Sequence, residues 1–362
     1  MIKAYSADTI FTGNTIEKNC AVIIENNFIK EVIPLKNLPV DVTVVQHAPM
    51  IAPAFIDIQI YGASSKLFSV YPSLDTLQKI KEYCEKGGAK YFLPTIATNT
   101  NDVFKKGIDA VKEYWRQNRK GIPGLHLEGP WLNKLKRGAH TESFIHSPTK
   151  EEVVDLLEYG KGVIKMITLA PEVCSEEIID LIKGYGVIIS AGHSNATFSE
   201  AMNAFKKIHA ATHLFNAMSS LHHREPGLPA AIMMDADVMT SVVADGYHVD
   251  FTMIYLAKKI IGERLFLITD AVTETKEGPY PHECSGDKYI SNGILSGSAL
   301  TMMKAVKNCV EKCDIPLDEA LRMASLYPAK VIELDKETGK IAKGYRADLV
   351  LINEELEAID CI

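Results

Sequence analysis

From Ile51 onward the chain repeats one pattern: a short, nearly continuous apolar run, a polar turn, then an amphipathic stretch. Eight such runs occur, AFIDIQI, KYFLPTIAT, GIPGLHLEG, VIKMITLAP, GVIISAGHS, AATHLF, SVVADGYH and LFLITDAV. They are too continuous for strands with one wet face and predict strands buried on both faces. Helical periodicity separates several of them, over Leu74 to Lys86, Asp102 to Gln117 and Lys150 to Tyr159. Thr149 with Glu152, and Thr197 with Glu200 ahead of AMNAFKKI, have capping-box spacing. Eight buried strands alternating with helices over roughly 220 residues predict an α/β fold, a closed (β/α)8 TIM barrel rather than an open sheet.

The two ends of the chain read differently. Ala21 to Ile24, Phe28 to Ile33 and Val42 to Val45 are short β segments. After the barrel pattern, Leu300 to Lys312 and Leu317 to Ser325 read as helices, and GKIAKGYRADLVLINEE returns to β character. Segments this short do not bury their own faces, so the ends are expected to pair with each other. The expected division is a small β-sandwich domain from residues 1–50 plus 340–362, and a barrel from 51–339.

Composition removes several functions. In 362 residues, 39 Lys and Arg face 46 Asp and Glu, a formal charge of −7, so there is no general basic field for nucleic acid or anionic lipid. No apolar run is long enough to span a membrane, and the N-terminus lacks a secretory pattern. The seven cysteines are scattered without a C-x-x-C pair and fit free thiols in the cytoplasm. A small-molecule substrate, with no nucleic-acid or membrane partner, is the expectation.

Candidate chemistry lies where the runs end. Glu128, His193, His213, His248 and Asp270 each follow a different predicted strand, and in a closed barrel those ends share one rim. Each alone is as consistent with a helix cap or a loop hydrogen bond; five in succession are not. Glu128, His193 and His213 form a ligand set suited to one divalent metal, zinc first, with iron or cobalt acceptable. A metal of this kind activates water toward an amide or ester, and Asp270 is placed to carry protons between that water and a leaving amine. His222, His223 and Arg224 form a compact basic cluster near a rim loop, suited to phosphate if it is more than an exposed charged loop.

The stretches GLHLEGPWLN, AGHSNAT, ATHLFNAM, REPGL, DGYHVD, ITDA and LSGSALTM, in this order, resemble the N-acetylglucosamine-6-phosphate deacetylases of the amidohydrolase superfamily. The likeness runs from about Ile51 to Ala342. It implies a metal-bearing barrel with a small β domain built from both termini. It carries the metal ligands onto Glu128, His193 and His213 and the catalytic carboxylate onto Asp270. It also implies that His140, in KRGAHTES, polarises the acetamide carbonyl, and that Asn216, Ala217 and His248 contact the sugar phosphate. Arg224 matches an arginine that reaches the substrate of a neighbouring subunit, which implies a homodimer. The expected reaction is removal of acetate from N-acetylglucosamine 6-phosphate. A different N-acetylated amino sugar, or a non-catalytic sugar-phosphate barrel, is the alternative.

Some positions stay open. Many amidohydrolases carry His-x-His after the first strand for a second metal, where this chain has Gln59 and Tyr61, so one metal per site is expected. Tyr61 is bulkier than the His or Asn usual there and can trim the pocket, bond the substrate or fill the vacant metal position. His126 reads equally as a support for the metal cluster or as a core histidine, and Glu172 as a support or a helix cap. Ser296, with Gly297 and Ser298 ahead of an apolar helix, fits either a helix cap or a cradle for a phosphate or sugar hydroxyl. Trp131 follows Glu128 closely enough to line the mouth.

Overall fold

A computed structural model describes residues 2–117 and 119–362, so Met1 of the expected N-terminal domain lies outside it. Every apolar run becomes a strand. Eight parallel strands follow in chain order: Phe55–Ile60, Ala89–Ala97, Leu125–Glu128, Ile164–Leu169, Ile188–Ala191, Ala210–Ala211, Met239–Val242 and Leu265–Leu267. The seam closes just beyond the last of them, where Asp270 N donates to Gln59 O at 3.0 Å and Tyr61 N to Ala271 O at 2.9 Å. All of Phe55–Ile60 is buried, as two covered faces require. The structure is a (β/α)8 barrel.

Helices cover the outside, and their starts follow the capping chemistry. Thr197 and Glu200 form a complete capping box at Phe198–Ala204. At Lys150–Tyr159 only half of it forms: Thr149 accepts from Glu152 N, while the Glu152 carboxylate meets His146 instead. Inside the barrel, one polar chain runs from His126 through Thr168 and Thr212 to Ser190, with contacts of 2.8, 2.8 and 2.6 Å. His126 Nδ1 donates to Ile58 O at 3.1 Å. Both ring nitrogens are thus satisfied away from the rim, and burial pushes His126 down to about 4, so it stays neutral. This favours the core reading of His126.

The chain ends form one six-stranded sheet in the order Ala358–Cys361, Leu349–Ile352, Val44–Pro53, Ile2–Phe11, Ile16–Glu25 and Phe28–Pro34. Its faces are apolar on both sides, with Tyr5, Val22, Ile24, Ile51 and Leu349 on one and Ala4, Ala21 and Ile23 on the other. Only Ala54 separates Val44–Pro53 from the first barrel strand, which fixes the sheet beside the barrel. The strand Ile2–Phe11 escaped the periodicity because Ser6, Asp8 and Thr9 interrupt its apolar positions.

A further part of the fold also has no counterpart in the predicted elements. Between the eighth strand and the next helix, Glu283–Ser285, Lys288–Ser291 and Ile294–Ser298 form an antiparallel meander at the barrel mouth. Ser298 ties it down, its N donating to Asp270 O at 2.9 Å and its O accepting from Val272 N at 3.1 Å. Ser296 therefore sits in a strand. The helix behind it is Met302–Lys312, capped by Thr301, so the expectation that residues 296–298 form a helix N-terminus is corrected.

Candidate active site

The rim gathers the predicted residues through unusual backbone. His193, His213 and Asp270 have φ of 48°, 36° and 55°, in the left-handed region that side-chain-bearing residues seldom occupy. Each lies two or three residues beyond a strand end, and the turn aims its side chain across the mouth rather than along the barrel. Glu128 needs no such turn because it is the last residue of Leu125–Glu128. The residue after it, Gly129 at φ 85°, lets the chain pass Thr98, whose hydroxyl a Cβ would approach to 2.1 Å.

Three ligand atoms converge. Glu128 Oε1 lies 3.3 Å from His193 Nε2 and 3.2 Å from His213 Nε2, and the two Nε2 atoms are 3.1 Å apart. Bonds of about 2.0–2.1 Å to a tetrahedral ion would set its ligand atoms roughly 3.3–3.4 Å apart, so the spacing fits a divalent metal. The tautomer fits as well: His193 Nδ1 donates to Lys136 O at 3.0 Å, which leaves the Nε2 lone pair of the neutral ring facing the centre. Burial alone would raise Glu128. Positive charge at its centre, which His193 supplies in its protonated form when no ion is bound, and hydrogen bonds from His140, His193 and His213 overrule it and hold the carboxyl well below its usual range.

The other Glu128 oxygen is held separately. Oε2 accepts from the Tyr61 hydroxyl and lies 3.0 Å from His140 Nε2. Gln59 Nε2 donates to Tyr61 Oη at 2.7 Å, Glu128 Oε1 at 2.9 Å and Asp270 Oδ1 at 2.8 Å. Gln59 and Tyr61 thus occupy the place of a His-x-His pair and clamp the carboxylates. Thr98 supports both partners, donating to Glu128 O at 3.0 Å and lying 2.8 Å from His140 Nδ1. Burial pushes Asp270 up to about 8; His213 pulls it down, while Glu128, Asp245 and Asp57 push it further up. Burial thus makes this carboxyl hold a proton more readily than a surface aspartate does.

The cavity above these groups is lined by Glu128, His193, His213, His248 and Asp270 from the strand ends, together with His140, Asn216 and Ala217, which the family resemblance pointed to, and Ser296. His248 Nδ1 donates to Asp245 Oδ2 at 2.6 Å, so its Nε2 is left for the cavity. Arg224 is not among the lining residues; it stands exposed on the rim loop beside His222 and His223, whose rings are 4.2 Å apart. Trp131 is fully buried and packs in the core, which corrects its expected place at the mouth. Glu172 is a brace: it accepts from Asn133 Nδ2, Ser194 Oγ and Asn195 N at 2.6–2.9 Å and so pins the loop carrying His193. The sequence reading missed Tyr280 and His282, which also line the cavity. They lie on the loop just before the unpredicted meander, and GPYPHE gives no periodic signal.

Residues 50–361 match the amidohydrolase family, and residues 6–46 match the NagA composite domain. The chain is 34% identical to the N-acetylglucosamine-6-phosphate deacetylase of Haemophilus influenzae, over 98% of this chain and 96% of that one. The chain belongs to the amidohydrolase family, in its N-acetylglucosamine-6-phosphate deacetylase branch. A second relative, at 33% identity over 83% of this chain and 78% of its own, is the N-acetylgalactosamine-6-phosphate deacetylase of a Shewanella species. The crystal structure of the N-acetylglucosamine-6-phosphate deacetylase from Pasteurella multocida superimposes with a TM-score of 0.95 at 31% identity, covering 100% of this chain and 98% of that one. This amidohydrolase is therefore a metal-dependent hydrolase, and the ligand atoms of Glu128, His193 and His213 lie close enough together to hold a divalent ion. Among the described residues, no helix is long and apolar enough to cross a membrane.

Proposed function

We propose that this amidohydrolase, acting in the cytoplasm, removes the acetyl group of N-acetylglucosamine 6-phosphate, giving acetate and glucosamine 6-phosphate. The observation that carries the reading is the convergence of Glu128 Oε1, His193 Nε2 and His213 Nε2 beside an Asp270 carboxyl pushed up to about 8. One divalent ion per chain held there, zinc in our reading, would supply an activated water and a Lewis acid for the acetamide carbonyl.

The chain's own residues do the rest. Asp270 takes a proton from the attacking water as the new C–O bond forms, and returns it to the sugar nitrogen as the C–N bond breaks. His140, whose Nε2 already faces Glu128 across the cavity floor, turns that edge to the amide oxygen and stabilises its developing charge. Gln59 holds Asp270 in register with Glu128 through bonds of 2.8 and 2.9 Å. Asn216, the Ala217 backbone, His248 and Ser296 orient the sugar phosphate, and orientation is worth as much as chemistry in such a step. Arg224, exposed and outside its own cavity, serves the phosphate in the partner site of a homodimer.

The test is acetate release from N-acetylglucosamine 6-phosphate by purified, metal-analysed protein, beside the unphosphorylated sugar and the galactosamine 6-phosphate epimer. Fast turnover of the phosphorylated glucosamine alone, with about one metal per chain, supports the reading. A stronger preference for the galactosamine epimer would replace it with the second relative's substrate.

A further inference from the structure

The mouth has two unlike walls. One carries His248 on Asp245 together with Asn216 and Ala217; the other, the meander wall, is built from the loop ahead of the meander, which presents Tyr280 and His282, and from its last strand, which presents Leu295, Ser296 and Gly297. No lysine or arginine of this chain lines either wall, and this second one carries no charged group. What it offers is a neutral hydrogen-bonding pair: His282 Nε2 lies 2.9 Å from Ser296 Oγ. The pair is built rather than incidental. The His282 backbone exchanges two hydrogen bonds with Thr275, at 2.8 and 3.1 Å, and the ring meets Tyr289 edge-on with centroids 6.5 Å apart. Next to it the Tyr280 hydroxyl donates to Thr98 O, tying this wall to the residue that supports His140. The His282 ring is 3% exposed, and its Nδ1 has no hydrogen-bond partner among the described residues. Burial pushes the imidazole down to about 4, so at neutral pH it has one donor and one acceptor and no charge.

With the acetamide on the floor beside Asp270 and the phosphate on the His248 side, the pyranose ring must pass this wall. We propose that His282 and Ser296 read a ring hydroxyl of the amino sugar and set the preference between epimers; this rests on the function proposed above. A neutral donor–acceptor pair is the complement of an alcohol, and a polar site tuned to a hydroxyl discriminates strongly against its misplacement. Relatives named for glucosamine and for galactosamine substrates, at similar identity to this chain, show that the branch divides on the orientation of one ring hydroxyl.

The experiment compares kcat/KM of the holoenzyme, Ser296→Ala, His282→Ala and His282→Gln on N-acetylglucosamine 6-phosphate, its galactosamine epimer and the 3-deoxy and 4-deoxy glucosamine analogues. The expected result is that both alanine variants lower the epimer ratio about tenfold, that the loss vanishes on the one deoxy analogue lacking the hydroxyl being read, and that Gln restores part of the ratio. Proportional losses on all substrates, or unchanged ratios, overturn the proposal. Ser296→Ala carries the test if His282→Ala does not fold. Absence of wild-type turnover on either phosphate would instead refute the proposed function.

Discussion

Replacing Tyr61 by Phe separates a spacer from a clamp. The ring fills the same volume in both, so packing is preserved and only the hydroxyl is lost. In the wild type that hydroxyl donates to Glu128 Oε2 and accepts from Gln59 Nε2 at 2.7 Å. Without it, Oε2 keeps only His140 at 3.0 Å, and the first strand's hold on the carboxylate falls to the single Gln59 Nε2 bond to Oε1 at 2.9 Å, which makes it easier for Oε1 to turn away from His193 and His213. A hydrogen bond to an ionised group contributes about 1.5–3 kcal/mol, or roughly 10- to 150-fold in an equilibrium constant. Outer partners of metal ligands change affinity by about 10- to 100-fold when removed, which agrees. The expected outcome is a zinc Kd raised about 10- to 100-fold in Tyr61→Phe, read by competition of the metal-stripped protein against a chelating dye, with an unfolding midpoint close to wild type. A Kd within about twofold of wild type would show that Tyr61 only fills space and would refute the clamp.

Four further outcomes follow from the same geometry. Asp270→Asn keeps the Gln59 contact but has no proton to exchange, so kcat is expected to fall about 10²–10⁴-fold with metal content unchanged; near-wild-type acetate release would rule out Asp270 as the proton carrier. Asp57, buried under three hydrogen bonds to Thr269 and Gln59, is pushed by burial up to about 6 from 3.8. Its folded-state value is the higher one, so its contribution is complete below about pH 4 and is lost as pH rises through about 6. Relative to Asp57→Asn, the wild type should lose about 3 kcal/mol of unfolding free energy between about pH 4 and pH 8, and parallel stability profiles would contradict this. Gly129→Ala drives a Cβ to 2.1 Å from Thr98 Oγ1 at φ 85°, and the displaced Thr98 should cost about 10²-fold in kcat through His140 and Glu128; wild-type kinetics would exclude that coupling. Arg224→Ala and Asp270→Asn proteins, each inactive alone, should recover about a quarter of wild-type activity when mixed and allowed to exchange subunits, whereas no recovery would place Arg224 outside the partner's site.

What could be read from the sequence follows a physical boundary. A parallel strand buried on both faces must be apolar along its length, so all eight barrel strands announced themselves, down to the two-residue Ala210–Ala211. Residues placed by those strand ends, Glu128, His193, His213, His248 and Asp270, were equally legible because the barrel itself brings the ends together. The meander was not, since Glu283–Ser285 is exposed and Lys288–Ser291 mostly half-buried, and a strand without a dry face carries no alternation to detect. Tyr280 and His282 were lost with it. The support reading of Glu172 and the clamp at Gln59 could not be settled from the sequence, because, Tyr61 apart, their partners are 22 to 211 positions away along the chain.

The same boundary explains where this amidohydrolase stores its strain. His193, His213 and Asp270 each occupy the left-handed region, at a cost of order 1–3 kcal/mol apiece when the side chain is not glycine. Such turns persist only if neighbouring contacts over-determine them, and here each one is pinned. His193 O accepts from Asn133 N at 2.9 Å while Glu172 holds the next two residues. His213 N donates to Ser241 Oγ at 2.7 Å, and Asp270 is fixed from both sides by Gln59 O and Ser298 N at 3.0 and 2.9 Å. The pins for Asp270 are the barrel seam and the last strand of the meander. The wall that lines the mouth is thereby built onto the backbone of Asp270, the proposed proton carrier, so a shift in that wall would reach the chemistry directly rather than through the substrate alone.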